Sequence, residues 1–327
     1  MQRIRNESEA GIEQNPRAAA PANGVLEKEG KRREKDMTEK KDDKTSKGFS
    51  LSVGTRRIIA YIILVLLTIL CLFWFYVLFV NATRSKAQLN HGFTLIPSHY
   101  AAKNLYNLFH NSNLPILRGL MNSFIVAICT SAVSTYFSAM TAYAIHAYDF
   151  KFKKAAFTFI LAIMMIPTQV TALGFLSLLR KIKLMDSFIP LIVPSVAAPA
   201  VFFYMKQYME ANLPMELLES ARIDGASELR TFNQIALPMM KPAIAVQAIF
   251  SFVTSWNNYF VPALVLKSDS KKTLPILIAT LRSADFLKFD MAQVYMFIFM
   301  AILPVIIVYL FMARSIVAGL TAGAVKG

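Results

Sequence analysis

Two short stretches carry side chains whose types and spacing could do chemistry in a chain that is otherwise 55% hydrophobic. Trp256-Asn257-Asn258-Tyr259 sets two carboxamides between two aromatic rings in the middle of an apolar run. Amides in hydrocarbon cost free energy unless paired or hydrated, so they either bond neighbouring helices together or line a path for a polar solute. An aromatic face stacks on the apolar face of a neutral sugar while amides pair with its hydroxyls, so a carbohydrate suits this set. Gln169, beside Pro167, is a further candidate for the same surface. The second stretch is Glu219-Ser220-Ala221-Arg222-Ile223-Asp224-Gly225, with Ile235-Ala236-Leu237-Pro238 downstream, polar and helix-forming between two apolar runs. It marks where the chain meets a partner in water or, as an amphipathic hairpin, rests on the bilayer surface.

Other chemistry finds no residues to carry it. His91, His99, His110 and His146 show no metal-ligand spacing, and no Ser, His and Asp set shares a loop, so neither a metal nor a catalytic site is expected. There is no G-x-x-x-x-G-K-[ST], so ATP, if used, is bound and hydrolysed by another chain, and no cofactor is expected here. Cys71 and Cys129 lie in apolar runs and read as small core residues. The apolar runs contain no acidic residue, which argues against a secondary carrier driven by protons or sodium. A carrier or channel working without an ATPase is one rival reading, and a membrane-embedded enzyme or scaffold is another.

The elements that must position these residues are membrane helices. With 327 residues and only 17% charged, the chain reads as an all-α polytopic membrane protein, since lipid leaves bare backbone unsatisfied and the runs lack a barrel's alternation. Six spans are expected, over residues 58–80, 119–145, 155–179, 188–204, 243–265 and 292–312. The second carries Asn122, Ser123, Thr130, Ser131, Ser134, Thr135 and Ser138, small polar residues that let helices approach and bond across. Pro167 should kink the third, and Pro190, Pro194 and Pro199 should make the fourth irregular. Residues 1–57 are charged and poor in aromatics, expected as a disordered tail rather than a signal peptide, with Met37 an alternative start. The formal charge of +15 sits in that tail and in loops beside the runs, which points to membrane lipid headgroups rather than nucleic acid. Arg56 and Arg57, ahead of the first span, favour both termini in the cytosol, and 267–290 is then an outer charged loop.

Within the loop 206–242, residues 215–222 read as a short helix opened by Pro214. Leu217, Leu218 and Ala221 line one face, and Glu216, Glu219 and Arg222 a wet one. Gly225 turns the chain, and Asp224 or Ser227 caps a second helix, in which Leu229, Phe232 and Ile235 form a stripe and which Pro238 closes. The spacing E-x-A-x3-G-x9-I-x-L-P resembles the cytoplasmic loop of the permease subunits of bacterial ABC importers. Ile166-Pro167-Thr168-Gln169, Trp256 to Tyr259 and the C-terminal Gly319-Leu320-Thr321-Ala322-Gly323-Ala324-Val325-Lys326-Gly327 extend the resemblance over 58–327, the last two being similar to the maltose-type carbohydrate-uptake branch. Ser220 stands where the family usually has alanine, and the tail is not typical of the branch.

The resemblance implies a bacterial inner-membrane permease that moves a sugar or oligosaccharide by alternating access. Glu219, Ser220, Ala221, Asp224, Gly225, Ile235 and Pro238 would then couple it to an ATPase. The implied partners are a second similar permease, two ABC ATPase subunits and an extracytoplasmic solute-binding protein. Permeases for polyols or phosphate esters fit the same motifs.

Overall fold

The computed structural model describes residues 52–110, 115–283 and 290–324, and of these the side chains up to 313 other than 53, 282 and 283. Most of the tail 1–57, residues 111–114, residues 284–289 of the stretch expected as an outer loop, and the end of the C-terminal string lie outside that description. Among the described residues the regular elements are all helical. Two compact units are distinguished, Met1–Leu70 and Cys71–Gly327, and the second holds every element except the start of the first helix.

Helix α1 is Val53–Ala82, succeeded by α2 (Lys86–Asn90), α3 (Ala101–Phe109) and the long α4 (Ile116–Ala147). Next come α5 (Lys153–Ile163), α6 (Thr168–Lys181), a single turn α7 (Ile189–Ile192) running into a 3-10 turn at Val193–Val196, and α8 (Pro199–Asn212). The loop region is α9 (Met215–Ile223), then α10 (Glu228–Thr231), a π-helical turn Phe232–Ala236 and α11 (Leu237–Met239). The chain closes with α12 (Lys241–Trp256), α13 (Phe260–Val265), α14 (Leu274–Ser283) and α15 (Met291–Ala324).

Among the described residues, four stretches are long and apolar enough to cross a membrane unaided: Gly54–Ala82, Ile116–Ala147, Ile189–Asn212 and Met291–Ala313. Up to six are reached when two bent pairs, α5 with α6 and the polar-loop segment Glu228–Met239 with α12, are each counted as one crossing, the second of these not coinciding with the expected 243–265. The third span is a corner rather than a kink, with α5 and α6 meeting at 96°. Pro167 has no amide proton to continue the ladder and sits extended at ψ 133°, so the helix restarts at Thr168.

The fifth span is also broken. Its helix stops at Trp256 and resumes at Phe260, so Asn257 and Asn258 occupy the gap rather than mid-helix. Residues 267–290 are likewise more than a charged loop: α14 buries Leu274, Leu277 and Leu281 in the same apolar cluster as Trp256 and Phe297. Cys71 is exposed, and Cys129 only half-buried, so neither is a core residue.

Helix α4 is the axis of the second unit, packed against α8 and α12. Its small residues make that contact close. Ser131 Oγ donates to Ala248 O at 2.6 Å, and Ser138 Oγ to Ala198 O at 3.3 Å. At one end Asn122 Nδ2 donates to Ser270 O and Lys272 O, while Ser123 Oγ accepts from the Leu274 amide at 2.7 Å. At that end Gly119 faces Leu277 so closely that a Cβ would lie 2.3 Å from its Cδ1, and Leu277 is itself fully buried. Gly119→Val is therefore expected to cost about 1–3 kcal/mol by overpacking, and pairing it with Leu277→Ala should recover part of the loss. Thermal unfolding of the detergent-solubilised protein checks this, and a neutral single variant would show that α14 yields freely.

Candidate functional site: the polar loop and two cavities at a helix break

The loop between α8 and α12 is held by backbone geometry first. Helix α9 ends with the Gly225 amide bonded to Arg222 O and the Ala226 amide to Ala221 O, both at 3.0 Å, the paired 5→2 and 6→1 bonds that close a helix C-terminus. That cap needs a left-handed residue, and Gly225 supplies it at φ +77°. Asp224 belongs to this cap, whereas Ser227 occupies the N-cap position of α10 with extended backbone, its carbonyl accepting the Thr231 amide at 2.9 Å but its side chain making no capping bond.

Side chains then close the turn and tie it to α4. Arg222 Nε donates to Glu228 Oε1 at 2.8 Å across the Gly225 turn, and its Nη2 donates to Ala147 O at 3.2 Å, at the end of α4. Tyr143 OH donates to the other carboxylate oxygen of Glu228 at 2.8 Å, and the guanidinium lies 5.3 Å from the Tyr148 ring centroid. His146 Nε2 pairs with Leu213 O at 3.0 Å. The hydrogen bond from Arg222 holds the Glu228 carboxyl below its ordinary value. Arg222 is thus a structural bridge rather than part of a wet face.

The second stripe also differs from expectation. Leu229 is 67% exposed, whereas Phe232, Ala236 and Met240 are buried. These recur every fourth residue, and Phe232 packs between Tyr136 and Tyr143, ring centroids 5.7 and 5.4 Å away. The π turn at 232–236 precedes Pro238, whose missing amide proton already interrupts the ladder, and it widens the helix by one residue per turn. Pro238 does not end the segment, which runs on to Met239 before turning 82° into α12.

Between these anchors the motif residues are displayed. Glu219, Ser220, Asp224, Gly225 and Pro238 are exposed, Ile235 is half-buried, and Ala221 lies on the buried face of α9. Ile223 is 86% exposed, an apolar side chain beside Asp224. A shallow recess of about 260 Å³, lined in part by Ala221, Asp224, Arg230, Gln234 and Ile235, lies beside it. Buried on one face and open on the other, the loop has the form of a lever attached to α4.

The Trp256 to Tyr259 set does not form one surface. Trp256 is 3% exposed and donates from Nε1 to Ala301 O at 3.1 Å, so its indole is a packing element of α15. Trp256, Asn257 and Tyr259 border a largely apolar cavity of about 500 Å³ with Leu274 and Ile298. Asn258 borders a different one of about 330 Å³. Its lining includes Thr130, Ser134, Ser195, Gln247, Ser251, Thr254 and Ser255, hydroxyls and amides contributed by α4, the 3-10 turn and α12, and no lysine or arginine. Gln169 is exposed on the first turn of α6 and borders neither of these cavities. The hydroxyl cavity was missed from sequence because its members lie on separate elements. The only local signal was the run of hydroxyl residues on α4.

At the opposite end from the polar loop, a second clasp joins the α6–α7 turn to the residues after α13. Asp186 carries φ +56°, unusual for a residue with a Cβ. Its carboxylate accepts from the Lys267 and Ser268 amides at 2.8 and 3.0 Å and from Ser268 Oγ at 2.6 Å. Lys271 Nζ bonds it as well. The Ser268 hydroxyl and these amides hold the Asp186 carboxyl well below the usual carboxylate range.

A family described as "binding-protein-dependent transport system inner membrane component" matches residues 134–318. The arabinooligosaccharides transport system permease protein AraQ of Bacillus subtilis is 34% identical over 276 residues, covering 83% of this chain and 96% of the relative. AraQ of Halalkalibacterium halodurans is 36% identical over 245 residues, 74% of this chain and 86% of the relative. The sn-glycerol-3-phosphate transport system permease protein UgpE of Yersinia pestis is 31% identical over 268 residues, 80% and 95% respectively. Among solved structures, a chain of a bacterial ABC transporter involved in the import of the acidic polysaccharide alginate shares the fold, with TM-score 0.71 at 20% identity over 81% of this chain and 98% of that one.

Two outcomes are expected from the clasps. Tyr143→Phe removes one hydrogen bond to Glu228 and should cost about 0.5–1.5 kcal/mol, read as a lower unfolding temperature. A folded-state pKa depressed below the unfolded value, about 4 for Asp, stabilises above that value and is lost as pH falls through the folded one. The stability difference between the parent and Asp186→Asn should therefore stay constant from pH 7 to about 5 and shrink only below about pH 4. A difference that already fades above pH 5 would contradict the clasp.

Proposed function

The chain belongs to the family of binding-protein-dependent transport system inner membrane components, a transport component rather than an enzyme, and from that premise we propose that it is the permease through which an ABC importer passes a neutral sugar or oligosaccharide. The observation that carries the substrate class is the cavity at Asn258. Its hydroxyls and amides match a polyhydroxylated solute, and with no cation in the lining it offers a phosphate ester no counter-charge. This favours an oligosaccharide, the solute class that AraQ is named for, over a glycerol phosphate, the solute that UgpE is named for.

In this reading ATP is bound and hydrolysed by two partner ATPase subunits, a second permease completes the pore, and an extracytoplasmic binding protein delivers the sugar. The exposed Glu219, Ser220, Asp224 and Gly225, with Ile235 at the edge of the recess, meet the ATPase. Ala221 shapes that surface from within, and the exposed Pro238 fixes the backbone after it. Movement of α9 is passed to α4 through Arg222, Glu228 and Tyr143, and α4 also borders the hydroxyl cavity through Thr130 and Ser134. Displacing one end of α4 thereby alters the cavity at its middle, which is what alternating access requires. The polar loop and both termini are assigned to the cytosol, and the Asp186 clasp to the outer face.

The test is uptake of labelled oligosaccharide into vesicles holding the permease pair, the ATPases and the binding protein, with ATP hydrolysis measured alongside. Gly225→Pro and Glu219→Lys should insert normally yet lower uptake per ATP. Asn258→Ala should cut uptake by about tenfold, the scale of one lost hydrogen bond of ~1.4 kcal/mol, with ATPase docking retained. Unchanged uptake per ATP in both loop variants would remove the loop from coupling.

A further inference from the structure

The turn between α4 and α5 holds an unsatisfied concentration of positive charge. Lys151, Lys153 and Lys154 with Asp149 and Phe150 line a concavity of about 410 Å³. Among the described residues none of the three ammoniums has a carboxylate within ion-pair distance, unlike Lys206, which pairs with Glu210 at 2.6 Å. Lys153 and Lys154 also open α5, whose first turn contains no acidic residue. Cations there oppose the positive end of the helix dipole, so the arrangement lacks an anion.

The surface around the lysines says which kind of anion. Phe152 and Phe159 are 67% and 66% exposed and Ile163 is exposed too, residues spaced by seven and four that line one face of α5. Phe150 is exposed beside them. A bare apolar stripe rising from a ring of lysines matches a bilayer, with hydrocarbon against the stripe and headgroups at the lysines. A docked soluble protein would leave that stripe uncovered.

We propose that Lys151, Lys153 and Lys154 form a binding site for the phosphate of an anionic phospholipid, with Phe150 and Phe152 seated among the acyl chains. The site fixes the depth of α5. That helix has 11 residues, about 16 Å of length against a hydrocarbon core of roughly 30 Å, and it ends in the 96° corner, so its own span does not set its depth. This inference does not depend on the coupling role of the neighbouring loop.

The experiment compares the full-length chain with the triple variant Lys151→Gln, Lys153→Gln, Lys154→Gln. Both are reconstituted in nanodiscs of phosphatidylcholine with a minor fraction of phosphatidylglycerol, and the lipid retained after detergent extraction is measured by native mass spectrometry. The parent should retain phosphatidylglycerol preferentially, and the triple variant should lose about tenfold of that preference. A Lys→Arg triple variant should keep it, which separates charge from folding. Equal retention in parent and Gln variant would overturn the proposal. So would competition by inorganic phosphate as effective as competition by phosphatidylglycerol, which would make this a site for free phosphate. Loss of ATPase association from the Gln variant with no change in lipid retention would make it a protein contact, and would also overturn it.

Discussion

Close approach along α4 is the constraint from which the second unit is built. A membrane supplies no hydrophobic drive between helices, so packing and polar bonds across the contact must supply the cohesion. Gly119, Ser131 and Ser138 keep α4 thin where α14, α12 and α8 press on it. Its N-terminal end is pinned by Asn122 and Ser123, and its C-terminal end by Tyr143, His146 and the carbonyl of Ala147. One helix therefore touches the turn before α14, the cavity and the polar loop.

The polar loop is set by two local rules and one tertiary bond set. A left-handed residue is required where α9 stops, and glycine adopts that conformation without strain. The segment after it must bury Phe232 against Tyr136 and Tyr143 while keeping the motif face open. The ion pair of Arg222 with Glu228 then converts a flexible turn into a closed one. Both partners are partly exposed, so the pair positions the loop more than it stabilises the protein. An exposed Ile223 beside a fixed turn suits a surface awaiting a partner.

The broken helices carry the other half of the design. Interruptions at Pro167 and at Asn257-Asn258 free backbone groups inside a membrane protein, which is tolerated where protein or a wet cavity receives them. At the second break the chain turns between two cavities that are both largely apolar, of which the one beside Asn258 carries the more hydroxyl and amide side chains in its lining. Adjacent asparagines thus serve different surfaces.

Sequence alone determined that this chain is helical and membrane-embedded, because the length and polarity of a run against a bilayer leave no other solution. It also placed the polar loop, its opening helix and the turn at Gly225, since proline at a helix start and glycine at its end act through their own backbones. Local pattern could not say that Arg222 points inward to Glu228, that Leu229 is exposed while Met240 is buried, or that Trp256 serves α15. Each of those depends on what a distant segment presents, and a π turn of one extra residue shifts the face of everything after it. The hydroxyl cavity is the clearest case. Thr130, Ser195, Gln247 and Asn258 become one lining only when α4, the 3-10 turn and α12 with the break after it are packed together, so their shared chemistry exists in the tertiary structure and nowhere in the linear chain.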